Sequence, residues 1–192
     1  MFKLNASHLT NEMLQQYRTD CAYGCYTRNC LEMEIWPVVA KRVRFVAFCD
    51  IDQMHQANEL YGYAGVDRRI KRAINTSRES DLAVARWYSG DELVFLVLDG
   101  PRMGDPVQFA QRIQVRLLRA GLSATFGIVE VRPHEVRSPQ MAVRRAAKLV
   151  QKAKQAGQRA SINVEQKLNA SANADTHQSA LGWLGRLVAM LW

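Results

Sequence analysis

Residues 82–98 read Leu82-Ala83-Val84-Ala85-Arg86-Trp87-Tyr88-Ser89-Gly90-Asp91-Glu92-Leu93-Val94-Phe95-Leu96-Val97-Leu98. Two apolar runs around a Ser-Gly-Asp turn predict a β-hairpin with its acidic residues at the tip. Upstream, residues 43–48 form another short apolar run, which stops at the acidic pair Asp50 and Asp52. In a sheet that sets these strands side by side, Asp50, Asp91 and Glu92 converge at one edge. Clustered carboxylates repel one another unless a cation or a proton relieves them. Mg²⁺ is the usual remedy, because it takes one or two carboxylates together with phosphate oxygens. Any one of these acids alone reads first as a solvated residue at a strand end or turn.

Outward from the hairpin, helical and strand-like segments alternate. Residues 53–60 and 67–75 read as helices separated by the turn-prone Tyr61-Gly62-Tyr63. Asp105-Pro106 supplies an N-cap and a first-turn proline for a helix over 107–120. A strand over 123–131 follows, then a long helix over 140–156 with Gly157 as its C-cap, and residues 160–164 could close the sheet. This order predicts an α/β sandwich: a central, mainly antiparallel sheet flanked by helices, with extra N- and C-terminal helices. Pro37 should interrupt or kink any helix running through it.

The expected organisation is an N-terminal helical extension over 1–19, one domain over 20–165, a linker over 166–178 and an amphipathic helix over 179–192. Residues 169–178 are polar and rich in Ala, Asn and Ser, which suits a linker. Beyond them Ala180, Leu181, Leu184, Leu187, Val188 and Leu191 recur at helical spacing, with Trp183 and Trp192 near the ends. Such a helix can pair with a second chain, lie on a membrane surface or pack back on its own domain.

A length of 192 residues supports one domain with a sizeable core, and 48% hydrophobic residues argue against a disordered chain. The net charge of +8 suits an anionic partner without choosing among nucleotide, nucleic acid and acidic lipid. Residues 141–159 carry Arg144, Arg145, Lys148, Lys152, Lys154 and Arg159 with no acid, but no interleaved aromatics, so nucleic acid is not favoured. Cys21, Cys25, Cys30 and Cys49 form no C-x-x-C pair, so free thiols in a reducing cytoplasm are expected rather than a zinc site. No secretory leader and no apolar run of about 20 residues is present, which points to a cytoplasmic protein, at most peripheral at the membrane.

Several blocks occur in a telling order: Asp50 and Asp52 as D-x-D, then Asn58, Gly62 and Asp67, then Ser89-Gly90-Asp91-Glu92. Before them stand Asp20, Gly24 and Arg28; after them comes Ala153-Lys154-Gln155-Ala156-Gly157, an A-K-x-x-G block. Together they resemble the GGDEF (diguanylate cyclase) family over most of the chain, with a divergent S-G-D-E-L signature. The resemblance implies a nucleotidyl-cyclase-like fold and a bacterial second-messenger enzyme that condenses two GTP into cyclic di-GMP as a homodimer. It implies Mg²⁺ (or Mn²⁺) on Asp50, Asp91, Glu92 and the Ile51 carbonyl, with Asp91 or Glu92 helping to deprotonate the attacking hydroxyl. Asn58 and Asp67 would read guanine, and Ser89, Gly90 and Lys154 would hold phosphate.

Some positions depart from the family pattern. Ser89 replaces a glycine, Leu93 a phenylalanine and Val66 a glycine, the last of which would be strained if φ were positive. His55 stands in place of lysine, Tyr63 of histidine and Gln158 of an arginine. Arg78-Glu79-Ser80-Asp81 matches the family's R-x-x-D product-inhibition motif through Arg78 and Asp81, but two residues further from the signature than usual. Either a longer hairpin absorbs the extra pair or the match is chance. The alternative to a cyclase is a degenerate domain that binds GTP, cyclic di-GMP or a protein partner without turnover.

Overall fold

The computed structural model describes residues 11–75, 82–100 and 105–165. Arg78, Asp81, the 166–178 linker and the 179–192 helix expected from sequence lie outside these residues. Helix α1 (Asn11–Arg18) leads into a turn over residues 19–26. A helical stretch then changes pitch: α2 (Arg28–Cys30), a π-helical turn (Leu31–Ile35), α3 (Trp36–Val39) and a 3₁₀ turn (Ala40–Arg42). Thr27 caps its start by accepting from the Cys30 N–H at 3.2 Å. Pro37 behaves as its chemistry requires: it cannot donate to the carbonyl four residues back, and the widened turn sits just ahead of it.

Five strands and four further helices complete the described chain. They are β1 (Val43–Asp52), α4 (Met54–Tyr61), α5 (Tyr63–Asn75), β2 (Leu82–Arg86), β3 (Glu92–Leu98), α6 (Pro106–Arg119), β4 (Ser123–Glu130), α7 (Gln140–Gln155) and β5 (Ile162–Val164). They form one sheet in the order β2-β3-β1-β4-β5, antiparallel throughout except for the parallel β4–β5 pair. The hairpin and the α/β sandwich expected from sequence are both present. β1 runs on through Asp52 instead of stopping ahead of it. α5 starts at Tyr63, four residues before the expected start, so Asp67 lies one turn inside the helix.

Alternation along the strands sorts the core into two layers. Ala47, Cys49 and Ile51 of β1 and Leu93, Phe95 and Val97 of β3 pack with Val66 and Ile70 of α5 and Ile113 and Leu117 of α6. Val46 and Phe48 of β1 and Val94 and Leu96 of β3 face the other way, against Leu31, Trp36 and Ala146 and Val150 of α7. Val66 is fully buried within α5, and positive φ among described non-glycine residues is confined to Gln53 and Ala160. The strain foreseen at Val66 is therefore absent, because the helix gives it an ordinary backbone and the core takes its side chain. Leu93 is likewise fully buried, filling the place of a phenylalanine with a smaller apolar group. All four cysteines are free thiols; Cys21 is exposed and the others are buried.

Two contacts fix α7 on the sheet. At Gly127 of β4, a Cβ would collide with the Ala146 carbonyl oxygen of the helix backbone. Near the helix start, buried Glu135 accepts from Arg145 Nε at 2.9 Å, from a second Arg145 nitrogen at 2.7 Å and from the Arg132 N–H at 2.8 Å. Arg145 also pairs with Glu165 and donates to the Glu130 carbonyl at 2.7 Å. One residue of the basic 141–159 run is thus turned inward onto buried Glu135.

Gly127→Ala should lower stability by about 1–3 kcal/mol, the usual cost of overpacking. Denaturant titration measures it, and an unchanged midpoint would show that α7 can lift off without cost. Burial pushes the Glu135 carboxyl up, but Arg145 and the Arg132 N–H outweigh it and leave it below the usual glutamate value. A depressed folded value adds stability above the unfolded value of about 4.3, and that stability is lost as pH falls through the folded value. Glu135→Gln should therefore cost about 2–4 kcal/mol at pH 7, with the gap to the native chain closing in acid. Urea midpoints across the acid range check this.

Candidate active site

The strand register assembles the acidic group. Asp50 pairs directly with Glu92 across β1 and β3, and the Ile51 N–H donates to the Asp91 carbonyl at 2.9 Å. Two segments about forty residues apart in sequence are thereby fixed side by side at one end of the sheet. The period-2 alternation that sends Cys49 and Ile51 into one core layer sends Asp50 and Asp52 toward α7. There Lys154 pairs with Asp50 at 2.5 Å and with Asp52 at 3.3 Å. Burial, then the charges of Asp91 and Asp52, push the Asp50 carboxyl up, and Lys154 partly offsets them.

Asp52 belongs to the site's support, a role that its place in the D-x-D pattern did not disclose. It is 3% exposed and accepts from Thr125 Oγ1 at 2.9 Å, from Ser123 Oγ at 3.4 Å and from the Ala160 N–H at 2.9 Å. With the Lys154 ion pair, these bonds join β1, β4, α7 and the loop after Gly157 around one carboxyl group. A second carboxylate on the same face as Asp50, at the end of an apolar strand, is the sequence signal that could have found it.

The hairpin tip is tied down from several sides. Ser89 Oγ donates to Asp91 Oδ1 at 2.5 Å, and the Tyr88 N–H donates to Glu92 Oε2 at 3.2 Å. The fully buried Tyr23 donates its hydroxyl to the Gly90 carbonyl. Arg86 lies over the Tyr23 ring at 4.6 Å and pairs with Asp20 at 3.1 Å, so the turn over residues 19–26 clamps the hairpin. Arg28 stacks on Tyr88 at 3.8 Å and pairs with Glu32 at 3.0 Å. Burial pushes the Tyr23 hydroxyl well up; Arg86 opposes this, while Asp67, Asp20 and Asp91 add to it. The charges of Asp67 and Asp91 thus act on one buried phenol.

Asn58 lies in α4 and Asp67 in α5, both half-buried, on helices that pack together. His55 is exposed and faces Glu59 at 3.2 Å, and Gln158 is exposed after Gly157. A cleft of about 700 Å³ opens beside the acids, lined by Phe48, Asp50, Glu92, Lys148, Gln151 and Lys154 among others. Among the described residues no group of three or more His, Cys, Asp or Glu side chains is arranged to hold a metal on its own. The donor set is all hard oxygen, with Lys154 already supplying positive charge to Asp50. Oxygen donors of this kind could hold Mg²⁺ only together with phosphate oxygens, with Asp50, Asp91 and the Ile51 carbonyl as the protein's share.

Tyr23→Phe should remove the clamp on Gly90 without opening a cavity. The expected cost is about 1 kcal/mol, with faster amide exchange confined to residues 88–92. Uniform exchange along the chain would show that the hydroxyl does not hold the hairpin.

The chain matches the family model described as diguanylate cyclase, GGDEF domain, over residues 19–160. No curated protein matches it in sequence. The GGDEF domain of DgcB from Caulobacter crescentus, solved with c-di-GMP, is similar at 20% identity and TM-score 0.64, over 83% of this chain and 98% of that one. A longer DgcB structure, with its coiled coil, gives 17% identity and TM-score 0.66 over 80% and 88% of the two chains. Diguanylate cyclase SiaD from Pseudomonas aeruginosa, solved with its activator SiaC, gives 20% identity and TM-score 0.60 over 80% of this chain. The match spans 65% of that SiaD chain. At such identities the structural likeness carries the fold, while the family match rests on most of the sequence. The chain belongs to the GGDEF domain family.

Proposed function

We propose that this domain is a diguanylate cyclase that joins two GTP molecules into cyclic di-GMP, working as a homodimer. The observation that carries the reading is the Asp50–Glu92 register with Lys154 beneath it: acids and a cation gathered beside an open cleft. The GTP would place its guanine at Asn58 and Asp67, which stand on α4 and α5 outside that cleft, and its phosphates toward Lys154. Asp67 would accept from the guanine N–H groups, and a ligand lacking those donors would leave buried polar atoms unpaired at about 1–3 kcal/mol each.

Lys154 would exchange its bond to Asp50 for the triphosphate, leaving Asp50, Asp91 and the Ile51 carbonyl for the metal. Mg²⁺ (or Mn²⁺), when bound, supplies electrostatic stabilisation of charge on the reacting phosphate. Asp91 or Glu92 would take the proton as the 3′-hydroxyl of one GTP attacks the α-phosphate of the other. The P–O bond to pyrophosphate breaks in each transfer, and two transfers close the ring. Ser89 and Gly90 would stand at the phosphates, with Ser89 Oγ leaving Asp91 to donate there. Because each domain holds one GTP, turnover requires two copies face to face.

Incubation of the purified full chain with GTP and Mg²⁺ should yield cyclic di-GMP, read by chromatography and mass spectrometry. Asp91→Ala should lower the rate by at least about a hundredfold, as loss of one preorganised electrostatic group does elsewhere. Native chain that binds GTP but makes no product at any protein concentration would overturn the cyclase reading.

A further inference from the structure

On the opposite face of the sheet from α7, a second cavity of about 300 Å³ lies where α5 meets the end of α6. It is lined by Tyr61, Gly65, Arg68, Arg69, Arg72, Arg119 and Ala120, and shares no residue with the cleft beside Asp50. Four of its seven lining residues are arginines and none is acidic. Arg68 and Arg72 stand four apart on α5, a like-charge spacing that costs a helix a few tenths of a kcal/mol. A basic residue in the last turn complements the helix dipole, which accounts for Arg119 at the end of α6. It does not account for Arg68 and Arg69 in the first half of α5.

The pocket is also partly built in advance. Tyr61 lays its ring 3.7 Å from the Arg69 guanidinium carbon, and Arg69 donates to the Ala120 carbonyl. One guanidinium is therefore fixed, and the helix-end carbonyl that would repel an anion is covered. Arg68, Arg72 and Arg119 have no ion-pair partner among the described residues. Gly65 keeps the wall low next to Tyr61, since a Cβ there would lie 3.3 Å from the Tyr61 Cβ. Guanidinium groups match phosphate oxygens two at a time, and several around one small cavity suit a compact, multiply charged anion. The volume is at the small end of ligand pockets, which fits a short phosphate chain better than a macromolecule.

We propose that this arginine pocket is a second anion site, taking a small soluble ligand that bears two or more phosphoryl groups. The site stands independently of the cyclase reading, because none of the residues assigned to GTP lines it. Titration calorimetry of the full chain with inorganic tripolyphosphate tests it, with Lys154→Ala used to silence the cleft beside Asp50. One equivalent of binding should persist in Lys154→Ala and weaken at least tenfold when Arg72→Ala and Arg119→Ala are added. Arg72→Lys with Arg119→Lys should recover part of the affinity. These side chains are exposed, so the thermal midpoint should hold within a degree or two and separate lost binding from lost fold. Binding abolished by Lys154→Ala alone, or indifferent to the arginine changes, would overturn the proposal. So would arginine-dependent sedimentation with phosphatidylglycerol vesicles in the absence of tripolyphosphate binding, which would assign the surface to a lipid.

Discussion

The carboxyl group of Asp52 is the constraint on which the functional end of this molecule depends. It is buried at the last position of β1, yet it is met by a hydroxyl from β4, a backbone N–H from the loop after α7 and the ammonium of Lys154 on α7 itself. Taking a carboxylate out of water costs several kcal/mol, and that cost is offset only while every partner stays in place. The group therefore acts as a register pin. If β4 slips or α7 slides, Asp52 loses bonds that no other residue can replace. Ala160 accepts a left-handed backbone, φ 51°, at the position that delivers its N–H to this carboxyl.

The same bond set explains the behaviour of the neighbouring acid. Asp50 lies two residues earlier on the same face of β1, so Lys154 reaches both carboxylates at once. Asp52 holds the lysine from the buried side, which leaves the ammonium able to turn from Asp50 toward an incoming phosphate without losing its anchor. Gly127 lets the helix come close enough for this reach, and the Glu135–Arg145 pair sets the helix start. Across the sheet, Tyr23 and Arg86 perform a parallel task for the hairpin tip. Support for the site thus comes from both faces, while its reactive groups sit at the edge between them.

Much of this was legible in the residues. The hairpin, the order of strands and helices and the Asp105-Pro106 helix start follow from periodicity and capping chemistry. Asp50, Asp91 and Glu92 could be placed at one sheet end because strand ends and turns are local features. The spacing places the start of α5 at Asp67, because Gly62 reads as the centre of a longer break, whereas the helix resumes one residue after it. Val66 stands where the family pattern has a glycine, and it would be strained only at a positive φ. Inside a helix with its side chain in the core, a β-branched residue has no such difficulty.

Sequence alone determined which segments form strands, which form helices and which acids stand at their ends, because those properties depend on near neighbours in the chain. It also carried the family, through blocks spread over most of the domain. Tertiary structure decided what the side chains do to one another. Lys154 meets Asp50 across 104 residues, Tyr23 meets Gly90 across 67, and Arg69 meets Ala120 across 51. Such pairings depend on sheet order and helix placement, which hydrophobic periodicity leaves open. The arginine pocket has the same origin: its four arginines belong to two helices, and only their packing makes four separate charges into one cavity.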